Sequence, residues 1–90
     1  MKPSFPVVWG RITNLTGQSF TTKTGLDFSF LVQGNGLFPS RTKYRISKND
    51  FGTAYTHVPY DGPGGLNNQV RGPAYVWAIL HDRRIRKGDW

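Results

Sequence analysis

The chain has 90 residues, twelve Lys and Arg against five acids, and a formal net charge of +7, with a sequence pI near 10.3. It has no cysteine, which excludes disulfides and thiolate metal sites, and no apolar stretch of the length needed to cross a bilayer. The length predicts one domain over 1–90, with residues 1–6 and 84–90 as loose ends.

Residues 1–6 read as a lead-in carrying Pro3 and Pro6. The opening MKPSFPVVW lacks the pattern of a signal peptide, so the expectation is a cytoplasmic protein. Residues 7–13 predict a strand, with Val7, Trp9 and Arg11 on one face and Val8, Gly10 and Ile12 on the other. Gly10 inside it suggests a bulge or a close backbone approach. Thr16-Gly17 is a turn, residues 19–23 a second strand anchored by Phe20, and Thr24-Gly25 a second turn. Residues 26–33 show the most regular alternation: Leu26, Phe28, Phe30 and Val32 face one way, Asp27, Ser29 and Gln33 the other. Leu31 interrupts the polar face and is expected under a helix. Gly34-Asn35-Gly36 turns the chain, and Leu37-Phe38 is expected as a short edge segment before Pro39. Spacings this short predict antiparallel hairpins, because a parallel crossover needs more residues.

The run SRTKYRISKNDFGTAY reads as a strand leading directly into a helix. Arg41, Lys43 and Arg45 alternate with Thr42, Tyr44 and Ile46, which would put three cations on one strand face. Ser47 is the expected N-cap and Asp50 the capping-box acid. Phe51, Ala54, Tyr55 and Val58 follow at helical spacing, and Pro59 ends the helix. Residues 59–65, PYDGPGG, are expected as the loosest segment, and residues 66–71 as one helical turn or a loop. Gly72-Pro73 opens a last helix that runs to residue 83. It is apolar nearly all round through Tyr75, Val76, Trp77, Ala78, Ile79 and Leu80. The absence of glutamate fits a β-rich chain with short helices. The fold class is therefore α+β: a three- to four-stranded antiparallel meander followed by two helices packed on one face. The alternative is a small β-barrel with terminal helices.

A pI this high suits a polyanion. Two basic clusters are candidates for nucleic-acid binding: Arg41, Lys43, Arg45 and Lys48, and the C-terminal group Arg83, Arg84, Arg86 and Lys87. The first has no interspersed acid, and the second exceeds what a helix C-terminus uses for its dipole. Tyr44, Tyr60 and Trp90 are candidate stacking groups beside them. The two histidines, His57 and His81, and the scattered aspartates match no metal-ligand spacing. The glycine-rich loop before Leu66 lacks the lysine of a nucleotide-binding loop, and no RNP, GXXG, zinc-finger or helix-turn-helix pattern occurs. The reading is a small, non-enzymatic domain with no cofactor, no metal and no membrane partner, binding DNA or RNA electrostatically with low sequence specificity. The alternatives are a protein-interaction module or homodimer, with a free sheet edge over residues 37–46, and a small ribonuclease using His57 or His81.

Overall fold

The computed structural model describes residues 2–90. The chain begins with a helix, α1 (Phe5–Asn14), where the alternation predicts a strand. Its β-branched residues favour a strand locally, but the buried set is Val8, Trp9 and Ile12, which is helical spacing. Tertiary burial overrides the local preference. Phe5 and Trp9, one turn apart, pack as tilted rings with centroids 6.2 Å apart. Gly10 points away from every neighbour and is neither a bulge nor a close approach.

Strands β1 (Phe20–Thr21) and β2 (Asp27–Phe28) pair antiparallel as a two-stranded sheet. The buried Thr22 hydroxyl accepts the Leu26 N–H at 3.0 Å and closes their turn. A second, three-stranded antiparallel sheet contains β3 (Phe30–Gln33), β4 (Gly36–Pro39) and β5 (Ile46–Ser47), in the order β3-β4-β5. The expected continuous strand over residues 26–33 is thus divided between two sheets at Ser29. There the Ser29 N–H is taken by the Ser40 hydroxyl at 3.0 Å, and the Ser29 carbonyl by the Ser40 N–H at 2.8 Å. Phe28 and Phe30 are buried as expected, whereas Leu26 and Leu31 are 51% and 54% exposed; Leu31 lies under no helix. The single meander is corrected to two sheets, and neither closes into a barrel.

The expected edge at residues 37–46 is also displaced. β4 is the central strand, hydrogen-bonded on both sides. The outer side of β3 is covered by the turn after α1. Gly17 N–H donates to the Phe30 carbonyl at 2.8 Å, and the Thr16 hydroxyl accepts from Val32 N–H at 2.9 Å.

Helix α2 (Lys48–Tyr55) starts as expected, with the Ser47 hydroxyl accepting the Asp50 N–H at 3.1 Å. The capping is one-sided, because the Asp50 carboxylate accepts from Arg71 N–H at 3.2 Å instead of returning to Ser47. Helix α3 (Pro73–Leu80) opens on Gly72. Gly72 has φ of +60°, and a Cβ there would stand 2.6 Å from Ile46 Cδ1, so both conformation and space favour glycine. The helix ends at Leu80; Asp82 caps a further short helix, α4 (Arg83–Arg86). The described residues form four α-helices rather than two. α1 packs on α2 and α4, and α3 on α2, α4 and β1.

The centre of the core is assembled from the helices and the three-stranded sheet: Val8 and Ile12 of α1, Phe30, Leu37 and Ile46 of that sheet, Phe51 and Ala54 of α2, Val76, Ile79 and Leu80 of α3 and Ile85 of α4, none more than 1% exposed. Of the two regions expected to be loose, residues 84–90 and the described part of the first, residues 2–6, make contacts with it, and Met1 lies outside the described residues. Trp90 packs edge-on against Tyr55 at 5.1 Å and donates Nε1–H to the Leu80 carbonyl at 2.8 Å. Lys2 Nζ donates to the Tyr55 carbonyl at 3.0 Å. A 3-10 turn (Pro63–Leu66) begins inside the 59–65 segment expected to be loosest and buries Leu66 just after it. Among the described residues no helix is long and apolar enough to cross a membrane.

Candidate nucleic-acid interface

Residues 40–45 are not a strand. They form the connection that reverses the chain between β4 and β5, because antiparallel pairing of Leu37 with Ile46 requires a turn between them. Arg41, Lys43 and Arg45 are therefore not a ladder on one strand face, but all three are exposed. Arg41 Nε donates to the Asp27 carbonyl at 2.6 Å, which fixes its stem across the seam between the two sheets. Arg45 lies across the bare backbone of Gly36, where a Cβ would collide with its Nε.

Arg45 converges with Lys48 on a concavity of about 240 Å³, completed by Asn35, Ser47 and Asn49. Three local choices build it. The Gly34-Asn35 turn brings Asn35 to the start of α2, where its carbonyl accepts the Lys48 N–H at 2.7 Å. The Ser47 cap sets the direction of α2, and Lys48 and Asn49 occupy its first turn. A cation in a first turn opposes the helix dipole, at a cost on the order of 0.3–1 kcal/mol, so Lys48 adds to a local positive potential. Its ammonium lies 5.9 Å from the centre of the Trp9 ring. No carboxylate lines the concavity. A groove of about 570 Å³ continues from it past Asn49, Gly52, Thr53, Thr56 and Phe5, again without an acid.

The C-terminal cluster is differently placed. Arg84 grips Asp82 with two bonds, Nε to Oδ1 at 2.9 Å and Nη2 to Oδ2 at 3.0 Å. It also donates to the Ser19 carbonyl at 2.7 Å and covers the Phe20 ring at 4.2 Å. Burial tends to raise the Asp82 carboxyl, but the hydrogen bonds and charges of Arg84 and Arg83 outweigh it and leave it below the usual carboxylate range. Arg86 donates to the Trp90 carbonyl at 2.6 Å. Two members of the cluster thus hold α4 and residues 87–90 in place, and only Arg83 and Lys87 are exposed. Lys87 borders a pocket of about 310 Å³ with Arg11, Asn14, Leu15 and Arg84. The Arg11 charge there is met by Asp89 at 2.8 Å.

The three candidate stacking aromatics are committed to the fold. Tyr44 lies under the Arg71 guanidinium at 5.2 Å. Trp90 is held by Tyr55 and Leu80. The Tyr60 carbonyl accepts the Trp77 Nε1–H at 2.9 Å, its N–H is taken by His81 Nε2 at 3.2 Å, and burial pushes its phenol up to about 12. His81 Nδ1 meets the Trp77 carbonyl at 3.0 Å, its ring stacks on Trp77 at 5.0 Å, and burial lowers its pKa. Both ring nitrogens are thereby engaged, while His57 is exposed.

Asn35, Asn49 and Arg71 belong to the surroundings of the first cluster and were not singled out by sequence. The asparagines read there only as turn and helix-start residues, and nothing local reveals that Arg71 reaches Tyr44. Among the described residues no group of His and Asp is arranged to hold a metal. No family model, no curated protein and no solved structure matches this chain.

Proposed function

We propose that this chain is a non-enzymatic domain that binds nucleic acid through its phosphate backbone, with low sequence specificity, on the surface formed by residues 40–48. The observation that carries this reading is the convergence of Arg45 and Lys48 on an acid-free concavity, flanked by the exposed Arg41 and Lys43. Of the twelve cations, only Arg11 and Arg84 form side-chain ion pairs among the described residues. Most of the excess charge therefore has no counter-charge on a side chain, and a phosphate backbone is the polyanion whose repeated charges match a row of separated cations. The C-terminal cluster contributes Arg83 and Lys87 at most, because Arg84 and Arg86 are occupied within the fold.

Fluorescence anisotropy with labelled DNA and RNA oligonucleotides at two salt concentrations tests this. Affinity should fall steeply with salt. Arg45→Gln with Lys48→Gln should reduce the slope of log affinity against log salt by roughly 0.7 per cation for a single strand. Affinity that is the same at low and physiological salt would remove the proposal. The homodimer reading has less to stand on, since β4 is central and the β3 edge is covered; among the described residues Leu26, Leu31 and Val7 are the large apolar side chains left exposed.

A further inference from the structure

We infer that the outward face of the three-stranded sheet is a platform for single-stranded nucleic acid, with Phe38 as its base-stacking ring. The inference rests on the proposed nucleic-acid binding and narrows it to one class of ligand. Residues paired across antiparallel strands point to the same side of the sheet. Val32, Leu37 and Ile46 form the row that faces the core, and Leu37 and Ile46 are fully buried. The alternate rows, Leu31 with Phe38 and Gln33 with Gly36 and Ser47, therefore face outward. Leu31 is 54% exposed. Phe38 is half-buried but is not part of the core or of the partly buried shell packed on it, to which Val32 and Tyr44 belong.

Phe38 thus stands in the middle strand, on the side away from the core. An aromatic ring there is partly accessible from that side. Arg45 crosses the same sheet face over Gly36, and the concavity shared with Lys48 lies at its end. None of the outward positions of the three strands is acidic. This is the arrangement a single strand requires: a ring on which an unpaired base stacks, a neighbouring guanidinium that meets its phosphate or covers the next base, and further cations along the exit. A duplex keeps its bases paired and stacked inside, and a flat sheet face offers no projecting element for a groove. The sequence conceals the role of Phe38 because Pro39 marks residues 37–38 as the end of an edge segment, whereas β4 is central.

The test compares a labelled oligothymidylate strand with a duplex of equal length, by anisotropy at low and physiological salt, with wild type and the variants Phe38→Leu, Phe38→Trp and Arg45→Gln. The single strand should bind more tightly than the duplex. Phe38→Leu should weaken single-strand binding roughly tenfold, the loss of one stacked base, without changing the salt slope, while Phe38→Trp should retain it. Thermal melts of each variant separate a folding defect from a lost contact, and Phe38→Trp keeps both the packing and a π face. Salt-dependent binding that Phe38→Leu leaves intact, or equal affinity for duplex and single strand, overturns the platform but leaves the electrostatic reading standing; an apolar protein partner would then be the occupant to seek. No binding of either oligonucleotide at low salt overturns both.

Discussion

His81 sits between the segment around Tyr60 and helix α3, and its chemistry makes that junction sensitive to acid. The neutral ring donates from Nδ1 to Trp77 and accepts the Tyr60 N–H at Nε2; a protonated ring has no lone pair for Tyr60. Burial depresses its pKa below the ordinary 6.5, helped by the charge of Arg86 and opposed by the Trp77 carbonyl, while Lys23 lies over the neighbouring Trp77 ring at 5.7 Å. The unfolded chain therefore takes up this proton more readily than the folded one. The stability that His81 contributes is complete above the ordinary histidine value and declines as pH falls toward the depressed one. Thermal melts between neutral pH and about 5 should show a falling midpoint, and His81→Gln, which keeps an acceptor but does not titrate, should flatten it. A second residue measures how firmly the C-terminal segment is held. Ile85 is fully buried, so Ile85→Ala should cost about 2–4 kcal/mol in chemical denaturation. A loose tail would lose nothing.

Among the elements, β3 is the strand whose free edge is most deliberately closed. The Thr16 hydroxyl accepts from Val32 N–H at 2.9 Å and donates to the Phe30 carbonyl at 3.3 Å. Thr16→Val removes both bonds at nearly constant shape and should cost about 1–2 kcal/mol. It should also promote self-association through the uncovered edge, seen as a rise in mass by light scattering. No change in either would show that the turn backbone alone protects the strand. The same elements show what local sequence can and cannot convey. The Ser47 cap, the α2 face of Phe51, Ala54 and Tyr55, and the Gly72-Pro73 start of α3 were legible because each is settled within one helical turn by hydrogen bonding or spacing. Helix α1 was not, because Val7, Val8 and Ile12 satisfy a period of two as well as a helix, and only burial against α2 and α4 decides between them. Arg41, Lys43 and Arg45 alternate like a strand, but a strand there would leave β4 and β5 no turn with which to pair. Of the candidate site, the cations of residues 41–48 remain accessible. Arg84, Tyr60 and Trp90 make contacts that local sequence does not reveal, because Ser19, Trp77, Tyr55 and Leu80 are brought to them by the fold, while Arg86 meets the Trp90 carbonyl four residues on.

At the scale of the whole molecule the decisive quantity is the imbalance of charge. A net +7 on 90 residues with two side-chain ion pairs among the described residues, Arg11–Asp89 and Arg84–Asp82, means that repulsion between cations outweighs attraction in the folded state. The unfolded chain carries the same charges farther apart, so the repulsion opposes folding. Salt screens it over a Debye length of about 8–10 Å near physiological ionic strength. The melting temperature should therefore rise as salt is added, while affinity for an oligonucleotide falls over the same range. The two responses share one cause, the excess of cations over acids. At low salt a bound oligonucleotide should itself restore stability, by about 2.7 kcal/mol when its free concentration is a hundred times its dissociation constant. Differential scanning calorimetry across a salt series, with and without oligothymidylate, reads both effects together. A melting temperature that falls as salt is added would mean that attractive pairs dominate the field of the molecule, and the excess of cations would lose its claim to be kept for a ligand.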